Sequence, residues 1–218
     1  NLLEKGKKIT LVTMDMSRLL KGGVRAVIGA GVPIVADRFH VVKHVNSVIS
    51  LCRVATEKSV NERFQVKRLL VMKNETLRKI KDRPKWEAKV QKFMGLLKTH
   101  PELKILWDLK NRLHVFYESS DEKKALERFR GIIGFLDAYT YTHPEFADLK
   151  ATLLNWETEI MNFFKYRITN AFIEGLNNRI ETLKRKKFGY RNKEWFIKTI
   201  LFAFLPIAMF LTDLIFTH

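Results

Sequence analysis

The sequence predicts a mostly α-helical protein with one small βαβ unit near its N-terminus. Two short β-branched apolar runs, at residues 8–14 and 33–36, flank a helical stretch, which is the pattern of two strands joined by a helix. From residue 40 to 166 the apolar residues recur almost throughout at helical spacing. With 218 residues, 46% of them hydrophobic, the chain can bury a sizeable core.

Two aspartates stand where the predicted strands end. Asp15 follows the first strand and Asp37 follows the second, with a helix over 17–29 between them that stops at glycines. The two strands should be parallel with a right-handed crossover, and sites in parallel sheets form outside the carboxyl ends of the strands. Both aspartates are therefore candidate functional residues, although each could instead only cap the helix that follows it.

The charge of the chain limits its partners. A formal net charge of +17 and a pI of about 10.0 favour a polyanionic partner, first nucleic acid and second an anionic membrane surface. On sequence grounds the single Cys52 excludes an intrachain disulfide and a Cys-based zinc site. It fits a reducing cytosol, so we expect a cytoplasmic protein with Cys52 buried as a small hydrophobe.

The helical region contains a predicted basic helix, two similar helix starts and many aromatic residues. One helix is predicted over 41–77, and nine Lys and Arg residues between 43 and 79 could follow a phosphate backbone or form an ordinary exposed face. Thr-His-Pro-Glu occurs at 99–102 and 142–145, so His100 and His143 are interpreted as residues at helix starts rather than metal ligands. Eleven aromatic residues are interpreted as core rather than as platforms for base stacking: Trp86, Phe93, Trp107, Phe116, Tyr117, Phe129, Phe135, Tyr139, Trp156, Phe163 and Phe164.

A second candidate site lies on an amphipathic helix predicted over 168–187. Its polar face carries Glu174 and Asn178, and its last turn is strongly basic. A carboxylate beside two Asn and a basic cluster could hold a metal next to a phosphate backbone, or the helix could simply be solvated. The apolar segment 195–216 is a poor membrane span because Lys198, Pro206 and Asp213 interrupt it.

Four blocks of residues together resemble a known family. They are Val12-Thr13-Met14-Asp15-Met16-Ser17, then Ile34-Val35-Ala36-Asp37-Arg38-Phe39-His40-Val41-Val42-Lys43, then Ile168-Thr169-Asn170 through Glu174-Gly175-Leu176-Asn177-Asn178, and Lys184-Arg185 with Phe188-Gly189-Tyr190-Arg191-Asn192. In this order, from about residue 8 to about residue 203, the chain resembles the DDE-class transposases of bacterial insertion sequences that carry an Asp-Arg-Phe-His-Val-Val-Lys block.

The resemblance implies an architecture. It implies an RNase H-like catalytic core interrupted by an all-helical insertion, within the C-terminal part of a transposase. The core remnant would be 8–43, the insertion 44–165, the catalytic Glu helix and C-terminal helix 166–205, and an apolar tail 206–218.

The resemblance also implies residue roles. Asp15 matches the second catalytic Asp and Glu174 the catalytic Glu, and both would bind Mg²⁺ or Mn²⁺ for two-metal phosphodiester chemistry. Four residues would support the site: Asp37, His40, Asn170 and Asn178. Six would bind DNA: Arg179, Lys184, Arg185, Lys186, Lys187 and Arg191. The implied partners are transposon ends and target DNA, together with a second copy of the chain, whereas a membrane partner is not expected.

Two departures from the family leave alternatives open. The first catalytic Asp of the family would lie on an earlier strand, so these residues hold two of three carboxylates, and we expect this chain alone to bind DNA without cutting it. Glu181 stands where relatives commonly carry Lys, and it would repel phosphate. A non-catalytic basic helical protein that binds DNA or protein is the main alternative, and a membrane-peripheral protein anchored by 195–216 is another.

Overall fold

The structure is a computed structural model that describes residues 9–168 and residue 182. By its internal contacts the chain divides into two compact units, Asn1–Thr169 and Asn170–His218.

The βαβ unit forms as the sequence predicts. Strand β1 (Val12–Met14) pairs in parallel with β2 (Ile34–Ala36), and α1 (Arg18–Ile28) connects them. Strand β1 is shorter than the apolar run because β2 offers only three residues to pair with it. The mainly helical architecture with a small parallel sheet is therefore confirmed.

Helix α1 is amphipathic but none of its residues is buried. The Ser17 side chain accepts from the backbone N–H of Leu20 at its start, and Gly29 ends it with φ 106°, a conformation that glycine adopts without strain. Several of its apolar side chains point outward, with Leu19 86% and Val27 76% exposed.

Eight further helices follow within the described part of the chain. They are α2 (Arg38–Ser59), α3 (Lys67–Leu70), α4 (Asn74–Ile80), α5 (Pro84–Thr99), α6 (Pro101–Tyr117), α7 (Glu122–Ala138), α8 (Glu145–Asn155) and α9 (Glu157–Tyr166). The two Thr-His-Pro-Glu segments lie at the starts of α6 and α8, as predicted. Helix α9 packs against β2 and donates a hydrogen bond from Asn162 Nδ2 to the Ile34 carbonyl at 2.7 Å.

The prediction of one helix over 41–77 is wrong. Helix α2 ends at Ser59, and Asn61 and Gln65 then take left-handed conformations with φ of 50° and 55°. Between them Phe64 is fully buried, and its backbone N–H donates to Glu57 Oε1 at 3.0 Å. The helical pattern is interrupted because burying Phe64 gains more than continuing an exposed basic helix.

Aromatic side chains form much of the core. Phe116 is at its centre, with ring centroids 4.8 Å from Tyr117, 4.9 Å from Phe164 and 5.9 Å from Phe129. The interpretation of the aromatic residues as core is confirmed for most of them, whereas Tyr139 is 37% exposed. The buried ones are Phe93, Phe116, Tyr117, Phe129, Trp156, Phe163 and Phe164.

No helix in the described part of the chain is long and apolar enough to cross a membrane. The apolar segment 195–216, on which the membrane alternative rests, lies outside the described residues.

Candidate functional site

Asp15 lies directly after β1, at the carboxyl end of the small sheet. Its side chain is 52% exposed, and its backbone carbonyl accepts from the Ser17 N–H at 2.7 Å in the turn that leads into α1. A short strand followed at once by a tight turn therefore presents this carboxylate to solvent at a fixed point.

Asp37 lies at the equivalent position after β2, but it is buried, with 3% of its surface exposed. Its backbone N–H donates to the Met14 carbonyl at 2.8 Å, which joins the ends of the two strands. Its Oδ1 accepts from the Phe39 N–H at 3.4 Å and caps α2. The capping interpretation of Asp37 is thus confirmed, and this carboxylate is engaged in the fold rather than open to solvent.

His40, in the first turn of α2, lies between the two aspartates. Its Nδ1 is 3.9 Å from Asp15 Oδ2, and its Nε2 is 3.9 Å from Asp37 Oδ2. Both distances are longer than a hydrogen bond. The His40 imidazole forms ion pairs with the two carboxylates only in its protonated form. The parallel topology therefore brings together the Asp15, Asp37 and His40 side chains that the sequence singled out.

The Asp15 carboxylate opens onto a depression of about 290 Å³. Its lining residues are Asp15, Met16, Ser17, His40, Lys43, His44 and Ser47. A second depression of about 390 Å³ shares Lys43 and Ser47 with the first and extends to Phe39 and Lys67. The two depressions adjoin at Lys43 and Ser47 on α2, and together they are called here the α2 groove.

Sequence reasoning did not single out Ser47 or Phe39 as site residues, and it placed Lys43 only among the nine basic residues that could follow a phosphate backbone. Lys43 and Ser47 follow His40 by three and seven residues, which places all three on one face of a helix, so this spacing was the available signal. Phe39 is 48% exposed in the same groove, and its ring meets the His40 ring edge to face at 5.4 Å.

The first turn of α2 is fixed by a cation on an aromatic ring. The Arg38 guanidinium is 4.9 Å from the Tyr117 ring centroid, so the residue next to Asp37 is held on the aromatic core. Burial raises the pKa of Tyr117 far above its usual range, an effect that the nearby Arg38 charge partly opposes.

The other site residues predicted from the sequence lie outside the described part of the chain. They are the carboxylate, the two amides and the basic residues of the 168–191 region, namely Glu174, Asn170, Asn178, Arg179, Lys184, Arg185, Lys186, Lys187 and Arg191. Their roles, including the expected pairing of Glu174 with Asp15 at one metal centre, stay predictions.

Comparison with protein families decides the relationship. The family model DDE_Tnp_ISL3, described as Transposase, matches residues 1–200. The chain belongs to this family of insertion-sequence DDE transposases. The resemblance drawn from the four sequence blocks is thereby confirmed. Comparisons with curated proteins and with solved structures found no match.

Proposed function

We propose that this transposase chain supplies Asp15 and Glu174 to a two-metal centre that cleaves and transfers DNA strands. The observation that carries the proposal is the placement of Asp15, half-exposed at the carboxyl end of β1 and facing the α2 groove. The buried Asp37 and the intervening His40 would hold that corner of the site in place. On this proposal the βαβ unit belongs to an RNase H-like core, and the helices after residue 43 form its insertion.

The donors at Asp15 fit a hard divalent cation. Mg²⁺ and Mn²⁺ prefer carboxylate oxygens and keep several waters, and Asp15 offers an exposed carboxylate beside a water-accessible depression. Asp15 and Glu174 would hold the ions. When bound, such ions activate water or a 3′ hydroxyl and stabilise the leaving oxygen at phosphorus.

The α2 groove provides a path for the DNA backbone next to Asp15. Lys43 on α2 lies in both depressions and Lys67, the first residue of α3, lies in the second, so positive charge extends from the Asp15 depression into the neighbouring one. Contacts between such lysines and phosphates release counterions and position the duplex without reading its sequence.

A charge-reversal pair tests the path. We expect Lys43→Glu to weaken binding to duplex DNA and to reduce the slope of log K against log salt concentration by about one for each phosphate that Lys43 neutralises. Lys123→Glu, on the exposed side of α7, changes the net charge equally and is the matched control. Fluorescence anisotropy at several salt concentrations measures both, and equal effects of the two variants would place the DNA elsewhere.

A cleavage assay tests the chemistry. In a transposase that also contains the family's first catalytic Asp, we expect Asp15→Asn and Glu174→Gln to abolish Mg²⁺-dependent strand cleavage while DNA binding persists. Asp82→Asn, in an exposed loop, is the control. Cleavage by the Asp15→Asn variant at the normal rate would refute the role of Asp15.

The 218 residues by themselves hold matches to two of the three carboxylates, so we expect them to bind DNA without cutting it. Metal-dependent nicking by this chain, abolished in Glu174→Gln, would overturn that expectation. The alternative of a non-catalytic DNA-binding protein is favoured by one observation, the phosphate-repelling Glu181. It predicts that DNA binding persists while cleavage is absent even when all three carboxylates are present.

A further inference from the structure

Cys52, His143 and Glu145 form a cluster of ligand-type side chains away from the α2 groove. Cys52 lies in the middle of α2, whereas His143 and Glu145 flank Pro144 at the start of α8. One ligand atom from each residue lies within 4.8 Å of the other two, and Cys52 Sγ is 3.5 Å from Glu145 Oε2. Cys52 follows His40 by twelve residues, about 18 Å along the helix, so the cluster is separate from the Asp15 corner.

The cluster is shielded from solvent. Cys52 is fully buried and His143 is 3% exposed, while Glu145 is partly exposed and leaves a route from the surface. Buried groups of this kind need partners, since an unpaired polar group in the core costs free energy.

One nitrogen of the His143 ring has a partner outside the cluster. Its Nε2 is 3.1 Å from the Glu102 backbone carbonyl. When Nε2 donates its hydrogen to that carbonyl, the lone pair is left on Nδ1, and the tautomer and the ring plane are both fixed. Metal-ligating histidines are typically held by such a hydrogen bond from the second ring nitrogen.

Charge and ligand softness together select the ion. A Cys thiolate and a Glu carboxylate carry two negative charges, which a divalent cation neutralises inside the core. Thiolate and imidazole ligands suit Zn²⁺, whereas Mg²⁺ prefers oxygen ligands alone. The geometry points to a Zn²⁺ site formed by Cys52, His143 and Glu145, with the second Glu145 oxygen or a water in the fourth position.

Binding requires only a small adjustment. Tetrahedral zinc with bonds of about 2.0–2.3 Å separates its ligand atoms by about 3.3–3.7 Å, so the widest separation must close by about 1 Å. The Cys52 S–H bond breaks, an S–Zn bond forms and the proton leaves to solvent. Without metal the Cys52 thiol donates a hydrogen bond to Glu145 Oε2. Zinc would then hold α2, which carries His40, to the start of α8.

Cobalt provides a direct test, because Co²⁺ bound by a thiolate gives a charge-transfer band that oxygen ligands do not give. We expect the chelator-treated 218-residue protein to bind one Co²⁺ with this band and with the intense visible bands of tetrahedral Co²⁺. One equivalent of Zn²⁺ should displace the cobalt, whereas excess Mg²⁺ should not. Absence of the thiolate band at stoichiometric Co²⁺ would overturn the proposal.

Variants separate this site from adventitious binding. Cys52→Ser should lose the band and weaken Zn²⁺ binding by about 100-fold or more. Removing a residue that only hydrogen-bonds to a metal ligand already lowers metal affinity by about 10–100-fold. His100→Gln is the matched control, because His100 occupies the same position in the other Thr-His-Pro-Glu segment. Among the described residues, that segment is part of no cluster of possible metal ligands. Unchanged Zn²⁺ affinity in Cys52→Ser would refute the assignment.

Thermal unfolding guards against a trivial loss of fold. Zn²⁺ should raise the Tm of the wild-type protein and of His100→Gln, but not the Tm of Cys52→Ser or of Cys52→Ala. Cys52→Ala is included because it removes the ligand without burying a hydroxyl group. A Zn²⁺-dependent rise in either Cys52 variant that equals the wild-type rise would place the ion elsewhere. None of these readouts depends on the DNA chemistry proposed above.

Discussion

Lys110 provides the sharpest test of the helical core, because it is a fully buried lysine. Its Nζ donates to the Met72 carbonyl at 2.8 Å and to Asn74 Oδ1 at 3.0 Å, and lies 3.3 Å from the Trp107 ring centroid. No carboxylate of the described residues forms an ion pair with it. Burial lowers the pKa of Lys110 from its ordinary value of 10.5 to about 7.

The sign of the resulting pH dependence follows from proton counting. Between pH 7 and 10.5 the unfolded chain keeps the Lys110 proton while the folded protein has released it, so the unfolded state binds more protons and stability rises with pH. Below pH 7 both states are protonated and the cost of the buried charge is fully present. With the two pKa values above, the free energy of unfolding gains about 2 kcal/mol between pH 7 and pH 9.

That figure is an upper bound, because the two oxygen acceptors and the Trp107 ring favour the charged form. The nearby His114 does not obscure the effect. Burial, and after it the Lys110 charge, lowers the pKa of His114 to about 4, so this imidazole stays neutral from pH 7 to 9.

The assay is urea unfolding of the wild-type protein and of Lys110→Met at pH 7, 8 and 9. Methionine keeps the length of the side chain and removes the titrating amine, so the difference between the two proteins isolates Lys110. Between pH 7 and pH 9 we expect the free energy of unfolding of the wild-type protein to rise by about 1–2 kcal/mol more than that of Lys110→Met. Lys123→Met, which replaces an exposed lysine, should run parallel to the wild-type protein. A difference between wild type and Lys110→Met that is constant with pH would show that the acceptors keep the ammonium charged.

Three further substitutions test how the core and the small sheet are held. Phe116→Ala should lower the free energy of unfolding by about 3–5 kcal/mol in urea melts, since it empties the centre of the aromatic core, and a decrease below about 1 kcal/mol would contradict that position. Asn162→Ala should cost about 1–3 kcal/mol and speed hydrogen exchange around β2, because the Ile34 carbonyl loses its side-chain donor. Unchanged exchange there would mean that α9 does not anchor the strand. Glu159→Gln should cost about 1–3 kcal/mol, because the buried Glu159 carboxylate lies 2.7 Å from Lys21 Nζ, and Lys21→Met in the same background should then add little.

The sequence predicted the parts of the site that are local in the chain. Two β-branched runs around a helix predicted the parallel strands, and the residue after each run predicted where Asp15 and Asp37 would lie. The family blocks then indicated the transposase relationship. The exposure of each aspartate could not be predicted this way, because burial depends on which elements cover the strand end.

Long-range contacts could not be predicted from local patterns. The charge pattern favoured one continuous helix over 41–77, but a turn that buries Phe64 interrupts it. Burying this side chain, which is 0% exposed, gains more free energy than the helix propensity of exposed residues. Likewise, no spacing rule connects Cys52 with Glu145, 93 residues later, so the candidate zinc ligands became visible only in the fold.

The sequence by itself determined the helical class, the small βαβ unit, the positive charge and the family, because each is encoded by composition, periodicity or contiguous motifs. Only the tertiary structure decided that Asp15 is open while Asp37 is buried, that His40 lies between them, and that Lys43 extends a groove from the carboxylate. The physical reason is that hydrophobic burial is non-directional. The pattern of apolar residues specifies which faces of the helices and strands are covered. The packing of helices that are distant in the sequence specifies what covers them.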